Sequence, residues 1–292
     1  MKKHLIVLMV VWFCCVTTFS QEFSGEDYGN IRPPYIPLSR LNYRLDNSTI
    51  SFQKLNVGQL TSQEKTELDS AIGRLPKFGA YLFSGCHDRS QASYQLLPAE
   101  LKNKAYKAWI FSPERHTSSI SGRIKLRSNE EYAKQVEWGY HVALFFYDGN
   151  QKLVLDQGLS PGNLVSVEEW FAKMNIPVGS FWTITNGDVY LFNSTEELRS
   201  PRYASPANQN IFNGNFHRYQ SNENKYLSRN LARDDAGYML MTQNGCPELK
   251  PLLSNPGPLG ESLKLGRLPS RCQAVLAFYG ERFRFWENLL EP

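Results

Sequence analysis

Three residues have the types and the spacing that acyl-transfer chemistry needs: Cys86, His141 and Asp156. Cys86 follows Gly85 at the predicted start of a helix, where the positive end of the helix dipole lowers the pKa of a thiol. A thiolate attacks a carbonyl carbon, an imidazole transfers the protons, and a carboxylate holds the imidazole in the required tautomer. The backbone N–H of Cys86 has no intrahelical partner, so we expect it to donate to the oxyanion.

A β-hairpin is expected to bring His141 and Asp156 together. Two apolar runs flank Asp148-Gly149-Asn150, which is typical of a hairpin turn. A two-residue loop at Asp148-Gly149 is the preferred interpretation and places His141 directly opposite Asp156. A loop at Gly149-Asn150 makes them diagonal neighbours on one face, and only a three-residue loop would place them on opposite faces.

Helices and strands are predicted on either side of Cys86. A capping box beginning at Thr61 starts a helix that Pro76 stops. A second, amphipathic helix begins at Cys86, and residues 107–111 predict a strand. Residues 112–129 are polar and turn-rich, which is typical of a surface loop.

Each of the three residues also has a purely structural explanation. An isolated Cys is more often a small buried side chain than a nucleophile. A His within an apolar strand is often a satisfied core residue, and Asp156 at a strand end could cap a turn. The three residues together, in this order and spacing, favour the catalytic interpretation.

Other candidate groups fit less well. His87 and Asp88 lie beside Cys86, but adjacent helical residues point in different directions and no Cys-x-x-Cys or His-x-x-x-His pattern accompanies them. No metal is therefore predicted. His116 lies in a polar stretch, and His217 has no acidic residue next to it in the sequence.

The N-terminus has the features of a secretory signal peptide. Two lysines precede an apolar run of twelve residues, which is too short to span a bilayer. Small residues favour cleavage between Ser20 and Gln21, with cleavage after Thr18 as the alternative. The sequence therefore predicts an exported protein, either secreted or periplasmic.

Removal of the signal peptide leaves Cys86, Cys246 and Cys272, an odd number in an oxidising compartment. Three pairings are possible. Cys246 and Cys272 lie in turn-rich stretches at the two ends of a loop, so we predict a disulfide between them and a free thiol at Cys86. Cys14 and Cys15 lie inside the apolar run and follow aromatic residues, which argues against a lipoprotein.

Composition and charge exclude several other classes. The chain has 292 residues, of which 41% are hydrophobic and 21% charged, enough for a sizeable core. The net charge of +4 includes the two signal lysines and forms no concentrated basic run, so no nucleic-acid partner is predicted. No later stretch approaches about twenty apolar residues, so we expect no stable membrane association.

The residues around the three candidates resemble the secreted bacterial protein-glutaminases. The resemblance rests on Gly85-Cys86 with Arg89, on Trp138 followed by the block 140–143, on Asp156, and on the helix 167–170. The order Cys, His, Asp matches, and weaker similarity extends over roughly residues 80–246. Asp156-Gln157 stands where the family has Asp-Pro.

This resemblance implies an α+β fold with a papain- and transglutaminase-like core, in which the nucleophile lies at a helix N-terminus packed on an antiparallel sheet. It implies no cofactor. It also implies hydrolysis of the side-chain amide of glutamine in proteins or peptides, with Cys86, His141 and Asp156 as the catalytic triad. We expect a monomer whose partners are protein or peptide substrates with accessible glutamine.

The expected organisation is a signal peptide at 1–20, an extended leader or short prosegment at 21–60, and a catalytic domain at 61–292. Two other classes remain open. One is a different thiol acyl-transfer enzyme, either a transglutaminase-like crosslinker or a cell-wall peptidase, which its products would reveal. The other is a non-catalytic secreted binding module, in which Cys86 would be buried, inert and far from His141.

Overall fold

The computed structural model describes residues 36–37, 57–112, 122–128, 133–177, 180–194, 214–243, 246–265 and 269–291. The predicted signal peptide at 1–20 and its cleavage site lie outside the described residues. Most of the predicted leader at 21–60 lies outside them as well.

Antiparallel strands form the centre of the fold. In chain order they are β1 (Ile36–Pro37), β2 (Tyr106–Phe111), β3 (Ile124–Leu126), β4 (Glu137–Trp138), β5 (Tyr140–Tyr147), β6 (Lys152–Leu155), β7 (Leu164–Ser166), β8 (Met174–Asn175), β9 (Phe181–Asn186), β10 (Val189–Ser194) and β11 (Gly214–Arg218). The main sheet has the order β1-β9-β2-β5-β6-β7, and each neighbouring pair is antiparallel. Strands β4-β3-β8 form a small second sheet, and β10 pairs with β11.

Helices occur between and after the strands in chain order. They are α1 (Ser62–Arg74), α2 (Cys86–Gln95), α3 (Ala99–Lys102), α4 (Val167–Ala172), α5 (Asn224–Thr242), α6 (Pro256–Leu265) and α7 (Gln273–Leu290). The fold is therefore α+β, as predicted. The capping box that starts α1 is present, and the helix ends before Pro76. None of the described helices combines the length and the apolarity needed to cross a membrane.

Strand β5 is buried along both faces, which explains its continuous apolar sequence. Phe145 lies in the same apolar cluster as Trp182 of β9. Its neighbour Leu144 lies in a different cluster, together with Leu68 of α1. Because side chains alternate along a strand, a slip by one residue would exchange the two sets. Packing on both faces therefore fixes the register of β5.

The hairpin of β5 and β6 differs from the preferred prediction. Leu144 pairs with Leu155, which centres the loop on residues 149–150. The prediction that His141 lies directly opposite Asp156 is therefore wrong. The observed register is the alternative one, which makes the two residues diagonal neighbours on one face.

The side chain of Asp148 explains the longer turn. Its carboxylate accepts hydrogen bonds from the backbone N–H groups of Asn150, at 3.0 Å, and Gln151, at 2.7 Å. The Asp148 N–H also donates to the Gln151 carbonyl at 3.2 Å. These hydrogen bonds stabilise the observed turn over the predicted two-residue loop at Asp148-Gly149.

Two short strands lie in stretches that were not predicted to form strands. Strand β1, within the predicted leader, pairs with β9 at the edge of the main sheet. An edge position tolerates Pro37, which has no N–H to donate. Strand β3 lies within the predicted loop 112–129, and its Ile124 is fully buried. The loop prediction is therefore wrong for β3, where an apolar side chain completes the core. Residues 113–121 of the predicted loop lie outside the described part.

The C-terminal helices enclose an apolar cluster that contains a disulfide. Cys246 and Cys272 are linked, with Cα atoms 5.0 Å apart, as predicted. Both are buried in the same cluster as Tyr81, which precedes α2. Of the cysteines that the structure describes, Cys86 is the free thiol.

The start of α2 depends on Gly85. Its φ of 77° lies in the left-handed region, and a Cβ on this residue would overlap the carboxylate of Asp234 in α5. Arg89, one turn into α2, donates to the same carboxylate at 3.0 Å and to the Tyr81 carbonyl at 3.1 Å. Glycine combines the required φ with the space that Asp234 needs. The contact between α2 and α5 therefore sets the position of Cys86.

Gly85→Ala should destabilise the fold much more than Gly162→Ala. Both glycines have positive φ, 77° and 71°, but a Cβ on Gly162 would meet no atom within 4 Å. We expect Gly162→Ala to lower the free energy of unfolding by about 1–2 kcal/mol through backbone strain alone. Gly85→Ala should lower it by about 3 kcal/mol or more, because Asp234 must also move. Urea denaturation measures both, and equal losses would contradict the proposed role of Asp234.

Candidate active site

The structure brings the three predicted site residues together. Cys86 is the first residue of α2, His141 lies near the start of β5, and Asp156 directly follows β6. Their exposed fractions are 8%, 0% and 4%. The site is therefore a buried cluster at one end of the β5–β6 hairpin, with the thiol as its most accessible member.

The ring of His141 is oriented by Asp156. Nε2 of His141 lies 2.6 Å from Oδ2 of Asp156. Nδ1 is buried and has no nitrogen or oxygen partner in the part of the chain that the structure describes. The carboxylate thus holds one ring nitrogen and leaves the other available to the thiol of Cys86.

The ionisation of Cys86 and His141 is coupled through their contact. Burial raises the pKa of Cys86, but hydrogen bonding and charge from His141 and His87 outweigh it and lower the pKa to about 6. Burial lowers the pKa of His141, but Asp156 and Cys86 outweigh it and raise the pKa to about 9. A thiolate and an imidazolium therefore coexist between these values.

Asp156 has both a structural and an electrostatic role. Oδ1 accepts from the backbone N–H groups of Gly158, at 2.8 Å, and Leu159, at 3.0 Å, and so caps the turn after β6. Oδ2 accepts from His141 and, at 2.7 Å, from the indole N–H of Trp170. Burial raises the pKa of Asp156, whereas the charge of His141 and these hydrogen bonds lower it to about 2. Turn capping and imidazole binding are thus served by different oxygens.

Two tryptophans enclose the imidazole of His141. The ring of Trp138 stacks on it with centroids 4.4 Å apart, and that of Trp170 lies at 5.7 Å. The indole N–H of Trp138 donates to the Leu82 carbonyl at 2.7 Å, which ties β4 to the segment before Cys86. In the sequence both residues contribute only to the family resemblance, and no local pattern predicts these contacts.

His87 is a further residue of the site that was not predicted from the sequence. Its ring nitrogens lie near Tyr140, with Nδ1 3.2 Å from the hydroxyl, and near Asp88, with Nε2 3.3 Å from Oδ2. His87 also interacts with the sulfur of Cys86. Its position next to the predicted nucleophile was the only sequence signal for this.

The other groups weighed from the sequence lie elsewhere. His116 is outside the described residues, and His217 lies on β11, which pairs with β10 and is not part of the main sheet. Within the described part, one group of side chains has a spacing that could suit a metal ion: Cys246, Glu248 and Cys272. Both of its cysteines form the disulfide, so their sulfurs are not thiolate ligands.

A low-pKa cysteine at a helix start, beside an imidazole held by a carboxylate in an α+β fold, is typical of thiol-dependent acyl-transfer enzymes. Comparison with protein families points to the same group. Residues 62–174 match the model of a family described as glutaminase, which supports the predicted assignment to the protein-glutaminase family and a hydrolase of this kind. The matched segment contains Cys86, His141 and Asp156. Neither a search of curated proteins nor a search of solved structures gave a match.

Trp170→Phe should reduce activity, whereas Trp182→Phe should not. Both indoles are fully buried, but only that of Trp170 donates to Asp156, and that of Trp182 has no hydrogen-bond partner in the described structure. Loss of a hydrogen bond to a buried carboxylate costs about 1.5–3 kcal/mol, so we expect kcat/KM to fall about tenfold or more. Thermal denaturation of both variants controls for lost packing. Equal activity losses would show that packing, and not the bond to Asp156, is what matters.

Proposed function

We propose that the protein hydrolyses the side-chain amide of glutamine residues in proteins or peptides, through a thioester on Cys86. The observation that carries this proposal is the contact of a free, low-pKa thiol with the His141–Asp156 pair inside the segment that matches the glutaminase family. Cys86 is proposed as the nucleophile, His141 as the acid and base, and Asp156 as the group that orients the imidazole.

In the first step, the thiolate of Cys86 attacks the carbonyl carbon of the glutamine amide and forms a carbon–sulfur bond. The resulting oxyanion accepts a hydrogen bond from the backbone N–H of Cys86, which is the first residue of α2 and has no intrahelical acceptor. The imidazolium of His141 gives its proton to the amide nitrogen. The carbon–nitrogen bond then breaks, and ammonia leaves.

In the second step, water attacks the carbonyl carbon of the thioester. The neutral imidazole of His141 takes a proton from this water, while Asp156 stabilises the charge that the ring acquires. The carbon–sulfur bond breaks and regenerates the thiolate. The products are a glutamate side chain and ammonia, and no cofactor enters either step.

We further propose that the mature enzyme acts outside the cytoplasm, after removal of residues 1–20. The support is the basic start and apolar run at the N-terminus, together with the disulfide between Cys246 and Cys272. In this proposal residues 21–60 are a leader or short prosegment and residues 61–292 the catalytic domain.

An assay with three substrates tests the reaction. A glutamine-containing peptide should release ammonia, whereas the matched asparagine peptide and free glutamine should release much less. Mass spectrometry of the glutamine peptide should show an uncut chain with glutamate in place of glutamine. Cleavage of the backbone would indicate a peptidase, and incorporation of an added amine would indicate a crosslinking enzyme.

Variants of the three site residues test the assignment of roles. Cys86→Ser should retain the fold and lose nearly all activity, about a thousandfold or more, because an alkoxide is far harder to form than a thiolate. His141→Ala should also abolish turnover. Asp156→Asn should cost less than Cys86→Ser, because an amide can hold the ring but stabilises its charge poorly. Full activity of Cys86→Ser would refute the mechanism.

The plot of kcat/KM against pH should be bell-shaped. It should rise as Cys86 loses its proton with a pKa of about 6, and fall as His141 loses its proton with a pKa of about 9. Below the first value the nucleophile is protonated, and above the second the acid for the leaving group is lost. These limits belong to the coupled pair. A profile of kcat/KM measures them, and a rate that still rises above the second value would contradict the ion pair.

A further inference from the structure

Cys86 interacts with two imidazoles, each of which is paired with a carboxylate. One is the His141–Asp156 pair, with its 2.6 Å contact. The other is formed by His87 and Asp88, with Nε2 and Oδ2 3.3 Å apart. The second pair has no part in the mechanism above, although it belongs to the residues that directly follow the nucleophile.

The fold also fixes the two members of the second pair. The carboxylate of Asp88 is fully buried, and its Oδ1 accepts from Tyr190 of β10 at 2.5 Å and from Asn230 of α5 at 3.1 Å. The Tyr140 hydroxyl lies 3.2 Å from Nδ1 of His87. Residues of β5, β10 and α5 thus fix the positions of Asp88 and His87.

Strand β5 contributes to the position of both imidazoles, because it contains His141 itself and Tyr140, which contacts His87. Tyr140 and His141 are consecutive residues of β5, and consecutive strand residues project to opposite faces. His141 is fully buried, whereas the side chain of His87 is 18% exposed. Of the two imidazoles that interact with the thiol, His87 is therefore the more accessible one.

We propose that His87 is a second imidazole acting on Cys86, a positioning residue whose positive charge holds the sulfur as a thiolate. Both ring nitrogens of His87 already lie within 3.3 Å of an oxygen partner, so it acts by charge and not as a proton carrier. His141, with Nδ1 free, remains the group that moves protons. This inference rests on the proposed role of Cys86 as the nucleophile.

The groups around His87 favour its charged form. Burial lowers the pKa of His87, but the carboxylate of Asp88 and the sulfur of Cys86 outweigh burial and the repulsion of Arg233 from α5, so the pKa is raised. Tyr140 and Tyr190 are the other titratable side chains whose rings face it, at centroid distances of 6.3 and 5.7 Å. A tyrosine is neutral near pH 6, so Asp88 and Cys86 supply the negative charge at the lower limit of the bell.

The test is the titration of the Cys86 thiol itself, without substrate. The rate of alkylation by iodoacetamide is followed against pH on the Cys86 peptide by mass spectrometry. We expect the midpoint of wild type near pH 6. His87→Gln should move the midpoint upward by about one pH unit and slow alkylation near pH 6 by several-fold, with little change well above the midpoint. Asp88→Asn should shift it in the same direction, which keeps the test valid if one variant folds poorly.

Lys65→Gln is the matched control. It also removes one positive charge, but Lys65 pairs with Asp148 at the far end of β5, about 20 Å or more from the site by the strand rise. Its midpoint should equal that of wild type. A midpoint unchanged in folded His87→Gln would overturn the role of His87. A wild-type midpoint near the ordinary thiol value would instead contradict the thiolate nucleophile of the proposed function, so the two failures are distinguishable.

Discussion

The buried contact between His141 and Asp156 is the constraint on which the rest of the site depends. Both side chains are almost inaccessible, and an unpaired charge in such a place would be strongly destabilising. Asp156 is satisfied by the imidazole, by the Trp170 indole and by the N–H groups of Gly158 and Leu159. The hairpin, the turn after β6 and helix α4 must therefore all form before the imidazole has a fixed orientation. The thiol of Cys86 depends on the same carboxylate indirectly, since Asp156 sustains the charge on His141 that lowers the pKa of Cys86.

Features set by neighbours in the chain could be predicted from the sequence. The capping box of α1, the helix start at Cys86 and the turn between β5 and β6 each follow from a few adjacent residues. The shared face of His141 and Asp156 was also predictable, because a shift of two residues preserves the face of a strand. The register itself was not, because it depends on the hydrogen bonds that the Asp148 carboxylate accepts from Asn150 and Gln151, which disfavour a shorter loop.

The contacts that complete the site could not be predicted, because they join distant parts of the chain. Trp170 reaches Asp156 over 14 residues, Tyr140 reaches His87 over 53, and Asp234 reaches Arg89 over 145. No periodicity or local motif encodes such distances. The sequence gives only the residue types at these positions, and nothing near Asp234 in the sequence indicates that its partner is Arg89.

Much of what holds Cys86 in place lies outside the segment that matches the glutaminase family. That segment ends at residue 174, yet α5 provides the Asp234 carboxylate that faces Gly85 and binds Arg89. The neighbouring carboxylate of Asp235 accepts from the Gly79 N–H, before α2, and from the Trp286 indole of α7. Helix α5 thus links the start of α2 to the C-terminal helices that the disulfide joins. The matched segment contains Cys86, His141 and Asp156, but the geometry of Cys86 requires the rest of the fold.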